Sequence, residues 1–127
     1  MADNRPDVEL RIPADGAFLS VLRTATAGLA ARLDFTLDDI EDLRIAVDEA
    51  CAVVLPQARP ESDLRCAFYL APETLKVEVS AHCDSPRPPH KDGFAWTVLS
   101  ALTSSLDADV DGDMLTVKLS RTSGETG

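Results

Sequence analysis

Aromatic residues are scarce in this chain: four phenylalanines, one tryptophan and one tyrosine make up 5% of its 127 residues. Because 45% of the residues are nonetheless hydrophobic, the core is expected to be aliphatic, and disorder as the ground state is disfavoured. No apolar run approaches the roughly 20 residues needed to cross a bilayer. Met1 to Pro6 also lacks the apolar stretch of a signal peptide, so a cytoplasmic protein is expected. Basic residues number 12 against 22 acidic ones, a formal net charge of −10. Such a surface repels phosphate backbones and argues against nucleic acid. It suits solubility or the steering of a basic protein partner. Cys51, Cys66 and Cys83 are odd in number, have no Cys-x-x-Cys or Cys/His spacing, and fall in regular segments. Reduced thiols are expected, with neither a disulfide framework nor a metal site.

What is present is a sequence of periodic segments. Val8, Leu10 and Ile12 alternate with Glu9 and Arg11 as a half-buried strand that Pro13 ends. After Asp15, a candidate N-cap, Phe18, Leu19, Leu22, Ala25 and Leu29 recur at helical spacing and leave Arg23, Thr26 and Arg32 on the flanks. Thr36 with Asp39 announces a second helix, expected to reach about Leu55 before Pro56. Its core stripe includes Leu37, Ile40, Leu43, Val47, Ala50, Cys51 and Val54.

Leu64 to Leu70 and Leu75 to Ala81 both alternate and are expected to pair as a hairpin, with Arg65, Tyr69, Lys76, Glu78 and Ser80 on the wet face. Pro86, Pro88 and Pro89 mark a surface loop. A third helix follows, with a stripe of Phe94, Val98, Leu99, Leu102 and Leu106, and with Trp96 turned away from most of it. Asp111-Gly112 signals a type I′ hairpin into a last strand carrying Leu115, Val117 and Leu119. The expected architecture is a two-layer α+β sandwich, a mostly antiparallel sheet with helices on one face. Residues 8–121 read as one domain, 1–7 as a flexible N-terminus and 122–127 as a disordered tail.

Glu49 is the most informative acid, because its helical neighbours Ile45, Ala46, Ala52 and Val53 cannot neutralise it. It reads as a general base in an apolar setting, or as a helix-edge acid reaching water or a tertiary partner. Asp48, by contrast, has Arg44 four residues earlier on the same face.

The run Asp42-Leu43-Arg44-Ile45-Ala46-Val47-Asp48-Glu49-Ala50-Cys51, preceded by Leu33-Asp34-Phe35-Thr36, resembles the anti-sigma factors of the sporulation and general-stress type. These are serine kinases of the histidine-kinase-like, Bergerat-fold ATPase superfamily, and the likeness runs from about Val8 to Leu119. The resemblance implies that Glu49 matches the activating acid. Four residues on, where the family has a Mg²⁺-ligating asparagine, this chain has Val53, which offers a hard cation no oxygen. Asp84 is the nearest match to the adenine-reading aspartate, without the glycines that normally follow it. Gly93 is all that remains of the glycine-rich phosphate turn, beside Phe94 and Trp96. Three departures at three nucleotide contacts point to Mg-ATP binding that is weak or lost.

Arg23 matches a basic residue with which the family contacts both its sigma factor and the competing anti-anti-sigma protein; otherwise it is a helix arginine paired with Asp15 or Glu9. The acidic runs Asp38 to Asp42 and Asp107 to Asp113 could meet a basic sigma-factor surface. The resemblance thus implies an anti-sigma factor that sequesters an alternative sigma factor, is released by an anti-anti-sigma protein, and forms a homodimer. An active ATP-dependent serine kinase acting on the anti-anti-sigma protein is the alternative. An acidic adaptor sharing only the fold is a third reading.

Overall fold

The computed structural model describes residues 5–124. Five antiparallel strands form one sheet: β1 (Val8–Pro13), β2 (Asp63–Ala71), β3 (Thr74–His82), β4 (Ser105–Asp111) and β5 (Met114–Thr122), in the spatial order β1-β2-β3-β5-β4. Three helices, α1 (Leu19–Arg32), α2 (Leu37–Val54) and α3 (Phe94–Leu102), complete an α+β sandwich, as the alternating strand pattern leads one to expect. The core-facing row of the sheet includes Leu64, Cys66 and Phe68 on β2, Leu75, Val77 and Val79 on β3, and Leu115, Val117 and Leu119 on β5, all buried. α2 supplies the opposing layer through Leu43, Ala46, Val47, Ala50, Cys51 and Val54. The other sheet face is polar and paired with itself. Arg65 bonds Glu9, Lys76 pairs with Glu78, and the Tyr69 hydroxyl bonds Glu78. Ser80 lies on that face but is 2% exposed.

Thr36 caps α2 as expected: its hydroxyl oxygen accepts from the Asp39 N–H and its O–H meets the Asp39 carboxylate, both at 3.1 Å. The turn before it is a Schellman closure, with Asp34 N–H on Ala31 O at 3.0 Å and Phe35 N–H on Ala30 O at 3.1 Å. Asp34 occupies the left-handed position (φ 62°) that glycine usually takes. Asp15 caps a short 3-10 turn, Gly16–Phe18, through the Ala17 N–H rather than capping α1 itself.

Several positions differ from the sequence reading. Thr26 is fully buried, its hydroxyl satisfied by Leu22 O at 2.8 Å, while Phe18 is 41% exposed. Leu37, at the start of α2, is 83% exposed, while Asp39 two residues on is buried against Arg121. α3 ends at Leu102, where the Thr103 hydroxyl bonds Leu99 O. Leu106 therefore belongs to β4, opposite Leu119, and Phe94 is 80% exposed rather than buried. In the β4–β5 turn only Gly112 has a positive φ (62°), so Gly112-Asp113 does not make the type I′ geometry, which needs two.

Strand β5 continues through Thr122. Ser123 N–H bonds Glu73 O and Gly124 N–H bonds the Asp39 carboxylate, so these residues of the expected tail are tied down. In the expected N-terminal segment, Asp7 bonds β2 at both Phe68 O and Leu70 N–H. Residues 1–4 and 125–127 of those two segments lie outside the described residues. No described helix is long and apolar enough to cross a membrane.

Candidate functional site

The residues assigned to a nucleotide site sit on segments that the fold joins. α2 carries Glu49 and Val53 on its half-buried edge and packs against α3. The chain leaving α2 runs beside the end of β3, with Ala58 bridged to Cys83 and Arg59 N–H on His82 O at 2.9 Å. The proline-rich segment 84–92 then crosses back to α3. It is fastened to α2 by Gln57, whose Oε1 accepts from Arg87 N–H at 2.8 Å and whose Nε2 donates to Arg87 O at 3.0 Å. The same Nε2 lies 3.2 Å from Val53 O. One side-chain amide thus clasps both backbone groups of Arg87 and ties them to the helix end.

Glu49 is half-buried and its side chain makes no hydrogen bond or ion pair among the described residues. The other positions are occupied differently. Asp84 is exposed, bound to the Arg59 Nε at 2.8 Å, while Cys83 takes the buried position at the strand end. Arg59 reaches Asp113 as well, at 2.9 Å, and Asp113 meets His82 Nδ1 at 3.0 Å. The Arg59 guanidinium is held by two carboxylates, which favours its charged form, and His82, then Arg59, hold Asp113 below the usual carboxylate range.

Gly93 caps α3 with an ordinary extended φ of −81°, so its turn does not require glycine. What does favour glycine is space: a Cβ would stand 3.1 Å from His90 O. Its N–H already donates to His90 O at 3.0 Å. Trp96 is half-buried with Lys91 Nζ 5.6 Å from its ring centroid. The residues present therefore do not fit Mg-ATP well. Val53 is aliphatic, the nearby Gln57 amide is engaged by the loop, Asp84 is paired at the surface with Arg59, and the Gly93 N–H has a partner.

Arg23 is placed differently. Its Nε bonds Asp48 Oδ1 at 2.8 Å across the α1–α2 packing, not Asp15 or Glu9, and both side chains remain 40% exposed. Arg44, expected to pair with Asp48, instead bonds Glu41 one turn earlier at 2.8 Å. Arg23 lies beside an open groove of about 560 Å³ between α1 and α2, lined in part by Ala27, Gly28, Leu37 and Ile40. Sequence reasoning missed Gln57 and Arg59, which fall between the second helix and the strand from Leu64, and it put Leu37 in the core. A side-chain clasp on a distant backbone leaves no periodic signal.

No family model matches the chain. It is 34% identical over 105 residues to the anti-sigma-F factor RsbW of Mycobacterium tuberculosis, a match covering 83% of this chain and 62% of that protein. It is 33% identical over 88 residues to the serine-protein kinase RsbW of Bacillus subtilis, covering 67% and 55% respectively. Against the serine-protein kinase RsbW of Halalkalibacterium halodurans it is 38% identical over 74 residues, covering 58% and 46%. The matched part thus spans between 46% and 62% of the length of these relatives.

Proposed function

Since the chain belongs, over the residues it shares with them, to the family of RsbW-type anti-sigma factors and serine-protein kinases, we propose that it sequesters an alternative sigma factor and releases it to a competing anti-anti-sigma protein without using nucleotide. The observation that carries this reading is the contrast between two places. At the nucleotide position Val53, Asp84 and Gly93 either lack the needed atoms or have them engaged, and Gln57 fastens the loop to α2. At the α1–α2 surface Arg23, though paired with Asp48, remains 40% exposed beside a groove. In this reading the domain is a Bergerat fold whose cleft is no longer maintained, Arg23 is an interface anchor, and the protein works in the cytoplasm as a homodimer.

A second reading, an active serine kinase acting on the anti-anti-sigma protein, is favoured by one feature: Glu49 is half-buried and unpaired among the described residues, as a base should be. Calorimetry with Mg-ATP separates the two, using Glu49→Ala as control and adding an anti-anti-sigma protein to look for phosphate transfer. No heat at millimolar nucleotide and no transfer is expected. Saturable binding with transfer that Glu49→Ala abolishes would establish the kinase instead.

A further inference from the structure

On the sheet face turned away from the helices, β1, β2 and β3 surround a cavity of about 200 Å³ lined in part by Arg11, Glu61, Asp63, Arg65, Ser80 and His82. Strand register sets its centre. Arg11 stands opposite Arg65 and Arg65 opposite Ser80, so two like charges adjoin across β1 and β2, an arrangement that costs stability unless it is compensated. Glu9, outside the cavity, compensates one of them: it bonds Arg65 at 2.8 Å and reaches Arg11 only at 4.0 Å.

The side chains left without a partner define what the cavity can take. Arg11 makes no hydrogen bond among the described residues, and the exposed carboxylates of Asp63 and Glu61 make neither a hydrogen bond nor an ion pair there. His82 is already engaged by Asp113. Ser80 is 2% exposed, yet its hydroxyl has no hydrogen-bond partner among the described residues. Every fully enclosed side-chain polar atom among them has a partner, so the small surface that Ser80 keeps includes its hydroxyl, which opens on the cavity. A nearly buried hydroxyl left in this way is a costly group that a ligand would satisfy.

The free charges are thus one guanidinium and two carboxylates. A simple anion would be repelled by Asp63 and Glu61, and a simple cation by Arg11 beside Arg65. A molecule with one carboxylate and two ammonium groups answers all three. Spacing agrees, since Asp63 lies two residues along β2 from the arginine row, about 7 Å. Two hydrogen bonds of about 2.8 Å each and the single carbon between the charges of an α-amino acid span that length. Met114, also in the lining, offers an apolar wall to an aliphatic chain.

We propose that this cavity binds a free basic α-amino acid of the lysine type, its carboxylate on Arg11 and the Ser80 hydroxyl, its two ammonium groups on Asp63 and Glu61. The site lies across the sheet from the helices, so it stands apart from the partner surface and the nucleotide position discussed above.

Amide chemical shifts of the isotope-labelled full chain, titrated with L-lysine against sodium chloride of equal ionic strength, test this. L-lysine should shift Arg65, Ser80 and His82 saturably, with a Kd on the order of 1 mM because both carboxylates are exposed. Cadaverine, which lacks the carboxylate, and L-norleucine, which lacks the side-chain ammonium, should each bind at least about tenfold more weakly. Ser80→Ala gives a second readout. Removing an unpartnered hydroxyl should raise the melting temperature of the free protein by a few degrees, and the further rise that L-lysine gives the wild type should be lost. No saturable shift at tens of millimolar L-lysine, equal shifts with sodium chloride, or equal binding of the three compounds would each overturn the proposal. So would shifts of these amides on diluting the protein alone, which would make the face a contact between copies. A Ser80→Ala variant that melts lower and keeps the full response to L-lysine would return Ser80 to a packing role and overturn it too.

Discussion

Asp39 and Arg121 hold together three elements that the sequence does not connect. The Arg121 guanidinium bonds Asp39 Oδ1 at 2.8 Å, Leu102 O at 2.8 Å and Asp42 Oδ2 at 3.1 Å, so β5, α3 and the start of α2 meet at one side chain. Asp39 also accepts from Gly124 N–H and Thr36. Arg121, then the Gly124 N–H, hold its carboxyl below the usual carboxylate range despite burial. A lowered folded pKa means that the pairing stabilises fully above the unfolded value of about 3.9 and loses its effect as pH falls through the folded value. Asp39→Asn is expected to cost about 2 kcal/mol near neutrality, since Asp42 and Leu102 O still hold Arg121. Thermal melts should show the gap between variant and wild type closing below about pH 4.

The three cysteines give a second residue-scale expectation. All are fully buried and unpaired with one another. Burial pushes the Cys66 thiol up to about 12 and raises Cys51 and Cys83 as well. Because the thiolate is the reactive form, a disulfide reagent should label none of them in the native protein at neutral pH and all three after unfolding. Rapid native labelling of any one would contradict this and reopen a redox role.

Among the elements, the turn between α1 and α2 and the strap over α2 carry the testable features. Asp34 sits in a left-handed conformation that costs any side chain more than glycine. Asp34→Gly should therefore raise stability by about 0.5–1 kcal/mol, read from denaturant midpoints at constant m. In the strap, Gln57→Ala removes both bonds to Arg87, so amide exchange at Arg87 should quicken about tenfold while the core strands keep their protection. Unchanged exchange would mean that the prolines alone hold the segment.

α2 and the β2–β3 hairpin were legible in the sequence because cap, period and breaker agree: Thr36 at one end, Pro56 just beyond the other, and strict alternation from Leu64 and from Leu75. α3 and β4 were not separable. Leu99, Leu102 and Leu106 continue a helical spacing, and the change of direction at Thr103 is set by pairing with β5, a contact distant in sequence. Of the candidate site, Glu49 stood out from its unpaired helical setting, and Arg23 only through the family resemblance. The partners of Arg23, Asp84 and Gln57 depend on which loops meet and could not.

On the scale of the whole molecule, the acidic balance is distributed unevenly. Asp39 is inside, Asp42 meets Arg121, and Asp113 meets Arg59 and His82, so neither acidic run is a uniformly free surface. The two arginines beside the groove between α1 and α2 are themselves paired, Arg23 with Asp48 and Arg44 with Glu41, so that surface is close to neutral. The proposed switch then needs no chemistry. Two proteins compete for one surface, and their relative affinities decide which is bound.

The most direct measurement of that claim begins with a purified complex of this protein and its sigma factor, free of nucleotide, to which the anti-anti-sigma protein is added. Release of the sigma factor on mixing, unchanged by Mg-ATP and accompanied by no phosphorylation, is the expected result. A displacement that depends on Mg-ATP, or phosphate appearing on the anti-anti-sigma protein and lost with Glu49→Ala, would contradict it.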